Sequence, residues 1–209
     1  HSGSKVNKIA NNVKEVYDKT AKEKGTQLIF ATTGESSLTG FSLWTELETQ
    51  LIKKGIPANE IAFIKTGTKE EELEEIYRKI NAGKIRVAIG SFSKMGVGIN
   101  VQERLFAIHE LNAPYRPADI EQAEGRMIRQ GNTYYDTGEK VRVYRYVTVG
   151  EEGAFSGDAF KWQILENKVK SINAVMKGDP SVRVLDAFDE DSDSSQPVVS
   201  GCNTAALLV

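Results

Sequence analysis

Apolar residues recur along this chain at two alternating periods. Between Lys5 and Lys24, Val6, Ile9, Val13, Val16 and Tyr17 return every three or four positions, which predicts an amphipathic helix stopped by Gly25. Gln27–Ala31 is a short apolar run and reads as a buried strand, opening into the hydroxyl-rich loop Thr32–Gly40. A second helix is expected over Phe41–Lys54 with Trp44, Leu47, Leu51 and Ile52 inward, ended by Gly55 and Pro57. Ile61–Ile64 is the next strand, and Thr66-Gly67-Thr68 is expected to cap an acidic helix over Lys69–Asn81. Strands follow at Arg86–Gly90, Leu105–Ile108 and, by strict alternation, Val141–Val149. A last helix, from about Gly157 to Lys177, carries Trp162, Leu165, Val169, Ile172 and Met176 on one stripe. Strands alternating with helices predict an α/β fold, a mainly parallel sheet covered by helices on both faces. Ligands of such sheets sit beyond the carboxyl ends of the strands, where the loops at Thr32, Thr66, Ser91 and Asn112 would gather.

Composition narrows the field. Hydrophobic content of 40% and charged content of 27% are those of an ordinary globular protein. One cysteine excludes an internal disulfide framework and suits a reducing compartment, so a cytoplasmic location is expected. No apolar run reaches the length of a membrane span, and two histidines with one cysteine make no zinc set, so neither membrane nor metal ligands are expected in the chain. His1-Ser2-Gly3-Ser4 reads as a cloning remnant, and Lys5 to residue 185 as one domain. From Asp186 onward there are five acids and no Lys or Arg, which reads as a disordered acidic tail over 186–209. The remainder is only weakly basic, too little to announce nucleic-acid binding by charge alone.

The chemistry concentrates between Ser91 and Asn132. A helix is expected to start at Pro117, with Asp119 complementing its positive end. Gln122, Arg126 and Arg129 would then lie on one face, at i, i+4 and i+7. Gly125 between them suggests a close approach by a backbone or ligand. Arginine suits phosphate because its planar fork donates in pairs. Upstream, Gly96 and Gly98 in KMGVGINVQ would let backbone amides approach a phosphate or close a tight turn. A phosphate-binding P-loop is missing: Gly34 and Gly40 are separated by five residues, with no lysine following. Nor does an Asp-Glu pair end an apolar strand to hold magnesium. The chain therefore reads as half of a machine, with arginines for a phosphoryl group that another domain would hold. Trp162, Tyr146 and His109 fall on apolar stripes or a strand end and read as core.

These motifs carry a resemblance. From Lys5 to Lys177 the sequence resembles the second RecA-like domain of superfamily-two helicases and DNA translocases. Ser91-Phe-Ser-Lys-Met-Gly-Val-Gly-Ile-Asn100 looks like motif V. Gln122-Ala-Glu-Gly-Arg-Met-Ile-Arg-Gln-Gly-Asn132 looks like motif VI of chromatin-remodelling-type translocases, ending Gly131-Asn132 where that type usually has Gly-Gln. The wording is most similar to the helicase part of phage and mobile-element proteins that join a helicase to an adenine-specific DNA methylase.

The resemblance implies ATP with Mg2+, held mainly by a first RecA-like domain. Arg126 and Arg129 would contact the γ-phosphate, Gln122 would help position it, and Gly96, Gly98, Asn100 and Gly125 would lie at the nucleotide cleft. Thr32, Thr66, Gly67, Ser91 and Lys94 would line a sequence-independent DNA backbone track. Two other readings compete: a complete Rossmann-like nucleotide or methyl-donor enzyme, and a non-catalytic interaction module retaining the motor fold. The first lacks a glycine fingerprint at its first strand-to-helix turn.

Overall fold

The computed structural model of the chain describes residues 5–32, 42–95, 100–125, 130–148, 156–176 and 206–207. Helix α1 (Lys5–Lys19) buries Ile9, Ala10, Val13 and Val16 along one stripe. It ends five residues before the expected Lys24. The Thr20 hydroxyl turns back to the Val16 carbonyl at 2.8 Å, and Lys24 takes a left-handed φ of 54° that closes the turn.

Strand β1 (Thr26–Phe30) follows, buried at every position. Helix α2 (Leu43–Lys53) begins at the Ser42 cap, whose hydroxyl accepts from the Thr45 amide. It buries Trp44, Leu47 and Leu51, but Ile52 is 43% exposed, one helical step round from Leu51 and off the inward stripe. A short 3-10 turn at Ala58–Glu60 leads into β2 (Ile61–Ile64).

Thr66-Gly67-Thr68 does not cap the next helix. Thr68 instead closes a turn on Lys65, donating to its carbonyl at 2.9 Å and accepting from its amide at 3.1 Å. Gly67 takes φ 88°, a conformation that favours glycine. Helix α3 (Glu70–Asn81) starts behind Lys69 with three glutamates in its first turn, which suits the positive end of its dipole.

After β3 (Val87–Gly90) come the single-turn helix α4 (Phe92–Met95) and β4 (Leu105–Glu110). Helix α5 (Pro117–Glu124) carries proline in its first turn; α6 (Thr133–Asp136) is short. Strand β5 (Arg142–Arg145) takes up only the first half of the expected run Val141–Val149, and α7 (Gly157–Met176) follows. Of the expected α7 stripe, Trp162 and Leu165 are buried, whereas Ile172 is 51% exposed. Within 186–209, Ala206–Leu207 forms β6, antiparallel to β5; the remaining tail lies outside the described residues.

The sheet order is β2-β3-β1-β4-β5-β6, with β1 to β5 all parallel. Leu28 and Ile29 point to opposite faces of β1 and neither is exposed, so the sheet is covered on both sides. This is the arrangement of a RecA-like domain. A second, smaller cluster joins Ile120 of α5 to Trp162 and Leu165 of α7.

Candidate functional site

Register brings the strand ends level. Ile64 pairs with Gly90, Gly90 with Phe30, Phe30 with Glu110, and Glu110 with Arg145. The residues that follow therefore share one edge. Across it run the Thr66-Gly67 turn, the Ser91–Lys94 segment, Thr32, and the loop from Asn112 to Arg116. Thr32, Thr66, Gly67 and Lys94 are exposed, and Ser91 is half-buried with its hydroxyl 3.0 Å from that of Ser93. Gly90 allows this packing: a Cβ there would meet Met95 Cγ and Sδ at 2.9 Å and Ile64 Cβ at 3.2 Å. Without one, Met95 seats fully buried over the end of β3 and turns α4 across the edge.

Asn100 is not with this group. Its carbonyl accepts from Asn81 Nδ2 at 2.7 Å, and the Asn81 carbonyl accepts from Arg104 Nε at 3.0 Å. Arg104 in turn offers its carbonyl to the Thr26 amide, where β1 begins. Asn81 ends the helix that returns the chain to the start of β3, so Asn100 lies toward the amino ends of the strands.

Of the three side chains expected on one helical face, only Gln122 is among the described residues, exposed near the end of α5. Arg126 and Arg129 lie outside them, as do Gly96 and Gly98. Gly125 stands at the C-cap of α5, its amide donating to the Glu121 carbonyl at 2.8 Å. A Cβ at Gly125 would lie 2.8 Å from that same oxygen, so the close approach it permits is by its own helix.

Glu124, at the end of α5, and Asn132, before α6, are each linked to β4, the first through Arg145 of β5. At the carboxyl end of β4, Arg145 Nε donates to Glu110 Oε2 at 3.0 Å, and Arg145 Nη2 donates to Oε1 of Glu124, the last residue of α5. The guanidinium also lies 5.4 Å from the Trp162 ring centre. Glu110 is fully buried, and burial pushes its carboxyl up to about 7 against the pull of Arg145. At the other end, buried Asn132 donates from Nδ2 to the Leu105 carbonyl at 2.8 Å, while its Oδ1 accepts from the amides of Tyr134 and Tyr135. Asn132 is thus consumed as the cap of α6.

The sequence reading missed the Glu110–Arg145–Glu124 cluster. Its only local signal was a carboxylate closing an apolar strand. Tyr115, 86% exposed in the loop after β4, was also passed over. Trp162, Tyr146 and His109 are buried as expected. Among the described residues no group of three or more His, Cys, Asp or Glu side chains could hold a metal ion, and no helix is long and apolar enough to cross a membrane.

Residues 5–131 match the family model described as the helicase conserved C-terminal domain. Among solved structures, the chain is similar to the C-terminal part of the Fun30 ATPase domain, at 15% identity and a TM-score of 0.49, over 79% of this chain and 53% of that one. It is also similar to Mycobacterium smegmatis helicase Lhr bound to ssDNA and AMP-PNP, at 18% identity and a TM-score of 0.42, over 58% of this chain and 15% of that one. The DUF1998 helicase MrfA bound to DNA and AMPPNP compares at 20% identity and a TM-score of 0.41, over 56% of this chain and 16% of that one. The chain thus corresponds to about half of the first structure and a small part of the other two. No curated protein matches the sequence. The family match takes in more than half of the chain, and the protein belongs to the helicase C-terminal domain family.

Proposed function

We propose that this chain is the second motor domain of an ATP-dependent DNA helicase or translocase. The observation that carries the reading is the level edge of five parallel strands, which collects Thr32, Thr66, Gly67, Ser91 and Lys94 on neighbouring loops. Hydroxyls, a glycine turn and one lysine suit the backbone of a nucleic acid, contacts that position without reading sequence. On the α5 side, Gln122, Arg126 and Arg129 would face ATP with Mg2+ held mainly by a first RecA-like domain, with Gly96 and Gly98 letting backbone approach it. ATP and its metal supply the phosphoryl chemistry when bound. The arginines of this chain would stabilise charge on the transferring group, an effect worth roughly 10³–10⁵ in rate where such fingers are known. Linkage to an adenine-specific DNA methylase is part of the same proposal, supported by the wording of the two motifs.

The test uses the protein that carries both motor domains. Arg126→Ala and Arg129→Ala, made singly, are expected to lower DNA-stimulated ATP hydrolysis by about 10³ or more with little change in thermal midpoint. Unchanged hydrolysis would assign the chain to an interaction module instead. Titration calorimetry of this chain alone with ATP is expected to show no tight binding, and tight binding would overturn the half-site.

A further inference from the structure

Three residues distant in sequence meet at the carboxyl end of β4. Glu110 closes β4, Arg145 closes β5 directly opposite it in register, and Glu124 closes α5. Each guanidinium nitrogen in use has its own carboxylate: Nε takes Glu110 and Nη2 takes Glu124. Glu110 has no exposed side-chain surface, so its bond to Arg145 is sheltered from water. Glu124 and Arg145 are each 22% exposed, so the second bond lies at the rim. One cation thereby joins a rigid strand end to the last turn of a helix, and Trp162 of α7 backs its guanidinium. A planar fork holds two partners in fixed directions, which a lysine ammonium does not.

We propose that Arg145 is a positioning residue, anchored on buried Glu110 and holding Glu124 so that the end of α5 is delivered to a fixed place on the carboxyl edge. This rests on the motor reading, because the residues delivered next are Gly125 and Arg126. A group that stabilises a transferring phosphoryl must be placed closely; an error of about 1 Å can lower a rate by about 10²-fold. On the motor reading ATP is held mainly by the first RecA-like domain, so loss of the anchor acts on turnover rather than on affinity.

The cleanest variant is Glu124→Gln, which leaves the buried Glu110–Arg145 pair whole and weakens only its hold on the helix. Arg145→Met would leave Glu110 buried without its cation, so it is made together with Glu110→Gln. In the two-domain protein, both variants are expected to lower kcat for DNA-stimulated ATP hydrolysis about 10- to 100-fold, with KM for ATP within about twofold. In this chain alone, amide exchange over residues 121–125 is expected to rise about tenfold or more, while β1 and β4 keep their protection. Unchanged exchange over 121–125, or unchanged kcat, overturns the proposal. Arg126→Ala run beside them separates the two failures. If it abolishes hydrolysis while Glu124→Gln does nothing, the anchor is wrong and the motor reading stands. If Arg126→Ala leaves hydrolysis intact, the motor reading falls and the anchor falls with it.

Discussion

Gln27 fixes the tautomer of His109. The Gln27 amide nitrogen donates to the Val13 carbonyl at 3.0 Å, which leaves its oxygen, 2.9 Å from His109 Nε2, to accept a proton from the ring. His109 Nδ1 is then an acceptor, and the Tyr146 hydroxyl, 2.8 Å away, donates to it. Asn12 completes the chain by donating to Tyr146 at 3.1 Å. Every member is oriented by the next, and the ring stacks on Tyr144 with centroids 4.7 Å apart. Replacing His109 by Leu would leave Gln27 Oε1 buried without its donor and the Tyr146 hydroxyl proton without an acceptor. A loss of about 2–5 kcal/mol is expected, read from urea unfolding, since each orphaned group costs about 1–3 kcal/mol. A variant that unfolds at the parent midpoint would show the network to be dispensable.

His109 and the next residue on the same strand, Glu110, both titrate away from their ordinary values. Burial holds the His109 ring down at about 3, so it binds a proton less readily folded than unfolded, where the value is 6.5. Its contribution to stability is complete above pH 6.5 and is lost as the pH falls toward 3. Glu110 runs the other way. Raised from 4.5 to about 7, it contributes fully below pH 4.5 and loses that contribution as the pH rises through 7. The two slopes oppose one another between pH 4.5 and 6.5, so these groups together give a plateau that falls away on both sides. Glu110→Gln removes the alkaline fall. Its stability relative to the parent is expected to improve between pH 4.5 and pH 8 by on the order of 3 kcal/mol. Urea midpoints taken at pH 5 and pH 8 check it; equal differences at the two pH values would contradict the raised carboxyl.

Asn132 offers a third test. Its side chain, with no exposed surface of its own, satisfies the buried Leu105 carbonyl and two amides at the start of α6. Asn132→Ala is expected to destabilise by about 2–4 kcal/mol, a lost cap of about 1 plus an unpaired buried carbonyl. Asn132→Asp keeps the cap but cannot donate to Leu105, and is expected to fall no less far once its buried charge is included. Thermal unfolding of the two variants side by side separates the contributions.

Much of the fold was legible because apolar periodicity is a local signal. The runs at Leu28, Ile61, Val87 and Phe106 became strands as expected, and their parallel order followed from the intervening helices. Element ends were less legible. The Lys24 end expected for α1 failed because Thr20 bonds back to Val16, and Thr66–Thr68 failed as a cap because Thr68 closes on Lys65. Ile52 and Ile172 looked apolar enough to be inward, but helix faces are set by neighbours that periodicity does not name. The edge loops were placed correctly by topology alone. Asn100, whose carbonyl accepts from Asn81 at the end of α3, lies away from those loops, a contact no local pattern announced. The Glu110–Arg145–Glu124 cluster spans 35 residues and exists only through strand register, so no local pattern announced it.

The flush ends of β1 to β5 have a mechanical consequence. Neighbouring strands are spaced about 4.8 Å apart and stitched by backbone bonds, so the Thr66 turn and the Thr32 loop, two strands away, sit about 10 Å apart on a stiff comb. A pull on one tooth is shared by the others. These loops cannot shift one at a time; a displacement of any of them is a displacement of the whole sheet.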